Sequence, residues 1–382
     1  MGCDDEAMSQ VNEVNHRNPD RPAGAAVIDR PLFDDPGFSI GPIRIDGRAL
    51  MAPMVGYNEP PLRKIFRRFG SALCITEMIK PEKMEKPSKM LLSELELSPE
   101  EHPVGAQISA REPEPALRAA AALRAMGYDL IDINFGCPLK KECVKGRGAA
   151  MMQEPRLVAE LFSTLTRELD CPVTVKMRSG WDDETPSAPT IARVAVDHGA
   201  AAVCVHGRSK MGWYKTVNDR AIIAATRAAV PDVPFIANGD ITSVEDALAM
   251  FRATGCDAVM IGRGSVGNPW IFRRVNQALR GGLVPPQPDF SEVRAVFTEH
   301  AEGLHACFKR KTALRLARKY AFFYFARWID TEDRARCAKV KSLKGLLAFV
   351  ESLEGREANS EADPLTALKE GRRSDQVASE RA

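Results

Sequence analysis

Eight short apolar runs, each followed by a stretch patterned as helix, fill the middle of this chain and restrict its fold more than any other feature. The runs are Leu50–Pro53, Ala72–Thr76, Val104–Ile108, Leu130–Asn134, Val173–Lys176, Ala201–Val205, Pro234–Asn238 and Ala258–Ile261. Strands alternating with helices demand a parallel sheet with helices outside it. The spacing predicts helices over Glu114–Met126, Pro155–Leu169 and Val244–Thr254, with Ser243 as an N-cap and Gly255 as a C-terminal stop. Eight such units in this length favour an α/β fold of the (β/α)8 TIM-barrel kind. An open doubly wound sheet would place a GxGxxG turn after the first strand. Here that position reads Ala52-Pro53-Met54-Val55-Gly56.

The barrel is expected over residues 39–285. Pro285-Pro286-Gln287-Pro288 then breaks the pattern, and a small all-α domain follows over 289–353. Residues 1–38 and 354–382 are polar and read as a flexible extension and a flexible tail. Nine cysteines lie scattered without CxxC or Cys/His spacing, which argues against a metal site and against a disulfide framework. The N-terminal segment has no apolar core for a signal peptide, and no run reaches the length of a membrane span. A cytoplasmic, monomeric protein is expected.

A barrel builds its site at the C-terminal ends of its strands. Strand two ends in Glu77, strand three in Gln107 and strand four in Asn134 and then Cys137. Strand five ends in Lys176 and Arg178, and strand six in His206 and Arg208. Strands seven and eight end in Asn238-Gly239-Asp240 and Gly262-Arg263-Gly264. Singly, each has an ordinary structural explanation, such as a rim ion pair or a turn. Together they describe a large polar pocket. The last two strand ends let backbone N–H groups approach an anion, with Arg263 adding charge. Lys176 and His206 would lie over the pocket centre, which suits a planar ring that takes up negative charge on reduction. The residues alone point to a phosphorylated planar cofactor such as FMN.

In Asp132-Ile133-Asn134-Phe135-Gly136-Cys137-Pro138 a thiol follows a strand end, three residues after a carboxamide. It is placed to act on a bound molecule, or it is a small buried residue that happens to be Cys. Lys140, Lys141, Lys145 and Arg147, with Gly146 and Gly148, follow at once and could close as a lid on an anionic substrate.

The helical region is strongly basic. Phe308 to Lys344 holds twelve Lys/Arg against three Asp/Glu, a local charge of +9 in a chain of net +2, so the remainder carries −7. The interleaved aromatics, Tyr320, Phe322, Phe323, Tyr324, Phe325 and Trp328, read chiefly as packing between helices. Arg310, Lys311, Arg315, Arg318 and Lys319 form a stripe suited to a phosphate backbone.

Seven segments in order resemble the successive motifs of the tRNA-dihydrouridine synthases. They are Ala52-Pro53-Met54, Val104-Gly105-Ala106-Gln107, Asp132 to Pro138, Val175-Lys176-Met177-Arg178, Val205-His206-Gly207-Arg208, Ile236 to Asp240 and Met260 to Gly264. Arg315 to Tyr324 also resembles the family's helical tRNA-binding domain, so the likeness runs from about residue 40 to about residue 350. Gly56-Tyr57-Asn58-Glu59-Pro60 and Lys215-Thr216-Val217 depart from the family's commonest loops.

The resemblance implies an FMN-bound barrel that reduces uridine in tRNA to 5,6-dihydrouridine, with NADPH as reductant. It implies Cys137 as the catalytic acid. Ala52, Pro53 and Met54 would lie against the isoalloxazine ring, and Gln107, Lys176 and His206 would contact the ring or ribityl chain. Asn238, Gly239, Asp240, Gly262 and Arg263 would hold the ribityl phosphate region, and Asn134 would sit between flavin and uracil. Arg178, Lys140, Arg315, Arg318 and Lys319 are the expected substrate contacts. The neutral thiol would protonate C5 after hydride reaches C6, and the target base would have to leave its stack to reach a barrel mouth. Two other readings compete: an FMN barrel oxidoreductase acting on a free pyrimidine or other small molecule, and a non-catalytic RNA-binding barrel. The basic tail opposes the first and the full set of polar strand ends opposes the second.

Overall fold

Each of the eight runs becomes a strand: β1 (Ala49–Met51), β2 (Cys74–Ile79), β3 (Val104–Ile108), β4 (Leu130–Phe135), β5 (Val173–Arg178), β6 (Ala202–His206), β7 (Phe235–Asn238) and β8 (Ala258–Ile261). They are seen in a computed structural model that describes residues 27–28 and 31–359, apart from Tyr214. The strands pair in parallel in the order β1-β8-β7-β6-β5-β4-β3-β2. The ring closes between its first and last members just before β2: Ala72 N donates to Ala49 O and Met51 N to Leu73 O, both at 2.9 Å. A TIM barrel results, as the strand–helix repeat predicts.

The outer helices are α1 (Pro60–Arg68), α2 (Pro113–Ala125), α3 (Pro155–Glu168), α4 (Ala188–Asp197), α5 (Arg220–Ala229), α6 (Val244–Thr254) and α7 (Trp270–Leu279). Proline opens α1, α2 and α3 at a position where the helix needs no N–H. Ser243 and Asp246 form a reciprocal capping box at the start of α6, and Gly255 ends it at φ +61°. The second unit differs. Its helix is replaced by two short ones, Pro81–Glu85 and Lys89–Glu94, because Pro81 and Pro87 bracket a stretch too short for a full helix.

Alternation along the strands sorts side chains into two cores. Outward residues such as Met51, Ala106, Ile133, Val175 and Ala237 pack under the helices. Inward residues Leu50, Leu73, Ile75, Leu130, Cys204, Ile236 and Met260 fill the barrel. Ile40 and Ile45 join that inner cluster from a hairpin, Phe38–Ile40 paired antiparallel with Ile43–Ile45, and seal the N-terminal end. Burying each contributes about 2 kcal/mol. Gly41, at φ +55°, allows the tight turn between them. Before the hairpin, Leu32 N donates to Leu279 O, and the Arg48 guanidinium lies 3.6 Å from the Phe33 ring centroid. The segment read as a flexible extension is therefore tied to the barrel from Leu32 onward. Val27–Ile28 of the same segment pair antiparallel with Gly282–Leu283, while residues 1–26, 29–30 and the tail beyond 359 lie outside the described residues.

After the barrel come α8 (Phe290–Cys307), α9 (Arg310–Tyr324), α10 (Thr331–Ala338) and α11 (Leu343–Glu351). The aromatic stripe is core: Tyr320, Phe323, Tyr324, Phe325 and Trp328 are buried. This bundle sits on the loops after β1 and β8. Gly303 of α8 lies against Pro61, and Gly267 so close to Phe323 that a Cβ would come within 2.4 Å of its backbone. Among the described residues no helix is long and apolar enough to cross a membrane, and no three His, Cys, Asp or Glu side chains gather into a metal cluster.

Candidate active site

Strand parity decides which polar residues meet. Leu130 and Leu50 point inward, so every second residue after them does too. Register then sets Asn134 beside Lys176, Arg178 beside His206, His206 beside Asn238, and Gln107 beside Asp132. A polar layer therefore caps the apolar interior at the C-terminal mouth. Gln107, Asn134, Lys176, His206, Asn238 and Gly262 all come together there.

Cys137 is held by a hydrogen-bonded chain that begins inside the barrel. Thr174 Oγ1 donates to Asp132 Oδ1 at 2.7 Å, and Gln107 Nε2 donates to Asp132 Oδ2 at 2.7 Å. Asn134 Nδ2 then donates to Gln107 Oε1 at 2.6 Å. The Asn134 carbonyl oxygen accepts from Gly136 N at 3.0 Å and Cys137 N at 2.8 Å. Every amide in this relay has its flip fixed by its neighbours. Burial pushes the Asp132 carboxyl up, against the pull of Gln107 and Thr174. Burial likewise pushes the Cys137 thiol up, so the sulfur stays protonated at neutral pH. Gly148, at φ +60°, lies so near that a Cβ would be 2.7 Å from Cys137 O and 2.9 Å from its Cβ.

Arg178 ties three loops together. Its Nε donates to Gly136 O at 2.8 Å and its Nη1 to Ser209 O at 2.7 Å. The expected substrate contact is thus engaged in holding the loops after β4, β5 and β6. Burial pulls the His206 imidazole well below its ordinary value, and the nearby Arg178 and Lys176 cations add to this, so the ring is neutral. Lys176 is half-buried and its charge reaches Asp132 and Cys204 one layer deeper.

At the β7–β8 end, Asp240 adopts the left-handed φ of +52°, uncommon for a residue with a side chain. Its carboxylate takes both Nη atoms of Arg208, at 2.8 and 2.5 Å, and Arg263 Nη2 at 3.0 Å. Asp240 therefore orients two guanidinium groups. Gly239 must be glycine, because a Cβ would fall 2.2 Å from Asn218 Oδ1. Asn238 Nδ2 donates to Met260 O at 2.7 Å. A Cβ on Gly262 would stand 3.3 Å from Met54 Sδ, so the Ala52–Met54 segment forms the adjoining wall.

The residues present fit FMN. Gln107, Lys176 and neutral His206 line the mouth as a planar polar ring requires, and two arginines steered by one aspartate stand at the β7–β8 end as an anionic group requires. The sequence assigned no role to Asp132, and placed Arg208 among the polar strand ends without a specific task. The signal for Asp132 was available, since it shares strand parity with Asn134. Arg208 was legible as a polar strand end, but nothing local marks its partner Asp240, 32 residues away.

The remaining expected contacts divide. Lys140, Lys141 and Arg315 are exposed. Arg318 Nη1 donates to the carbonyls of Ala338 and Val340, and Lys319 Nζ donates to Gly56 O. Glu77, expected at the end of the second strand, lies within β2 at the register break between Ile75 and Met78; it accepts from Gly56 N at 2.7 Å, and burial pushes its carboxyl up to about 7.

Comparison with known proteins agrees with this geometry. Residues 50–362 match the family model described as Dihydrouridine synthase (Dus). The chain is 40% identical over 287 residues to tRNA-dihydrouridine synthase B of Xanthomonas campestris pv. campestris, covering 75% of this chain and 86% of that one. It is 37% identical over 287 residues to the protein of the same name from Pseudomonas aeruginosa, with the same coverage, 75% and 86%. Among solved structures, histamine dehydrogenase from Rhizobium sp. 4-9 superposes with a TM-score of 0.50 at 13% identity. It covers 71% of this chain and 51% of that one, so the chain spans about half its length. That likeness concerns the fold. With the barrel, the order of its polar strand ends and the sequence match in agreement, the chain belongs to the dihydrouridine synthase family.

Proposed function

We propose that this chain reduces the C5–C6 bond of uridine in tRNA to 5,6-dihydrouridine, using FMN and, as reductant, NADPH. The observation that carries the reading is Cys137: a neutral thiol at the barrel mouth, fixed through Asn134 to the polar layer that fits a flavin. FMN, when bound, supplies the hydride for C6 of the base. Lys176, Gln107 and His206 hold the ring, and Arg263 with Arg208, oriented by Asp240, holds the phosphate end. Cys137 Sγ delivers the proton to C5 and is reprotonated from solvent. Burial keeps that proton in place until carbon needs it.

The names of the relatives support tRNA as the substrate, and the basic face formed by Arg310, Lys311 and Arg315 supports docking by phosphate contacts. A cytoplasmic location follows from a tRNA substrate and an NADPH reductant. Position-resolved dihydrouridine mapping tests the reading. Cells lacking the gene should lose the modification at one or a few tRNA positions, and wild type but not Cys137→Ala should restore it. An unchanged pattern, together with purified protein inactive on unmodified tRNA, would remove the proposal.

A further inference from the structure

The peptide group of Gly56 is gripped from both sides of a domain boundary. Its N–H donates to Glu77 of the barrel at 2.7 Å. Its carbonyl accepts from the Lys319 ammonium on α9 of the helical domain, and the Tyr320 hydroxyl oxygen of the same helix stands 3.3 Å from it. Lys319 Nζ also stands 3.7 Å from the Tyr57 ring centroid, a cation–π contact. Tyr57 in turn packs edge-on against Tyr320 and Phe323, at centroid distances of 6.0 and 5.9 Å.

The gripped loop is the continuation of the pocket wall. Met54 Sδ faces Gly262, and Met54 N donates to Asn58 Oδ1 at 3.0 Å, four residues on and beyond Gly56. The backbone between Met54 and Asn58 has no helix or strand to hold it. One turn bond, from Tyr57 N to Met54 O at 3.1 Å, and these side-chain clamps set its shape. Gly56 itself, at φ +80°, belongs to the left-handed region and has little intrinsic stiffness.

We propose that Lys319 is a positioning residue: through the Gly56 carbonyl it fixes the Met54–Gly56 wall of the flavin pocket to the helical domain, and it does not contact RNA. The inference rests on the proposed flavin site, in that the wall it fixes is the one expected against the flavin ring. Its ammonium is already committed to a carbonyl and an aromatic face, in contrast with Arg310, Lys311 and Arg315 on the same helix, which are exposed.

The test uses full-length protein carrying Lys319→Met or Lys319→Arg. Amide hydrogen exchange over residues 54–58 should speed up at least fivefold in Lys319→Met and return toward wild type in Lys319→Arg. The tRNA Kd should stay within twofold, while the single-turnover rate of uridine reduction at saturating tRNA falls about tenfold. A tenfold loss of tRNA affinity, or unchanged exchange over 54–58, overturns the inference. If Lys319→Met does not fold, Lys319→Gln, which removes the charge and shortens the reach to the Gly56 carbonyl, carries the exchange measurement with the same two outcomes. Wild-type protein that binds FMN but converts no uridine would sink the proposed function, while the exchange result would still decide this one.

Discussion

Cys137 shows how little a single side chain can do without its neighbours. Its acidity is set by burial and its position by the Asn134 carbonyl oxygen, itself held through Gln107 and Asp132. Cys137→Ala should lower uridine reduction by about 10²–10⁴-fold, the usual worth of a positioned proton donor, with flavin content unchanged by absorbance. Glu77 offers a second test. Its folded carboxyl lies at about 7 against 4.5 when unperturbed, so the folded state holds the proton more tightly. Its contribution to stability is fully present below pH 4.5 and is lost as pH rises through about 7. The loss amounts to about 3 kcal/mol at most. Glu77→Gln should flatten the fall of urea-denaturation stability between those two pH values. Identical slopes for both proteins would disprove this origin.

Elements repeat the lesson at a larger scale. β3, β8 and α6 occupy the residues that patterning predicts, and the remaining barrel strands overlap their apolar runs. Apolar runs of four or five residues are sufficient signal for such strands. The sealing hairpin was invisible because three-residue strands are too short to show a period. The broken second helix was hidden because prolines can open a helix as well as end one. Loop geometry gives an element-scale prediction. Gly148 combines a left-handed φ with contact against Cys137. Gly148→Ala should cost about 1–2 kcal/mol of stability yet slow uridine reduction about a hundredfold, because the thiol is displaced. Equal stability loss with normal turnover in a coupled assay would show that the Cys137 loop tolerates the shift.

Across the whole molecule, a buried polar triad joins barrel to bundle. His300 Nε2 of α8 meets Glu59 Oε1 at 3.0 Å, and Tyr320 OH donates to Glu59 Oε2 at 2.9 Å. Burial alone would push the Glu59 carboxyl up, but the His300 hydrogen bond and the Lys319 charge outweigh it and the net shift is downward. His300→Leu leaves that carboxylate buried without its main partner and should destabilise the protein by about 3–5 kcal/mol, read by urea denaturation. A change under 1 kcal/mol would mean that Glu59 finds water or Tyr320 sufficient. Replacing Arg310, Lys311 and Arg315 together with Ala should make the dependence of log Kd for tRNA on log salt shallower by about 2. An unchanged slope would place the RNA elsewhere. The strand order, the inward parity and so the meeting of Gln107, Asn134, Lys176 and His206 were determined by the sequence itself. A period of two, right-handed crossovers and eight successive strand–helix units lead to that arrangement. Which basic residues face solvent was decided only by tertiary structure. Arg315, Arg318 and Lys319 lie on one helix at close spacing, and only the packing of α9 on the loop after β1 and on α10 separates an exposed cation from two committed ones.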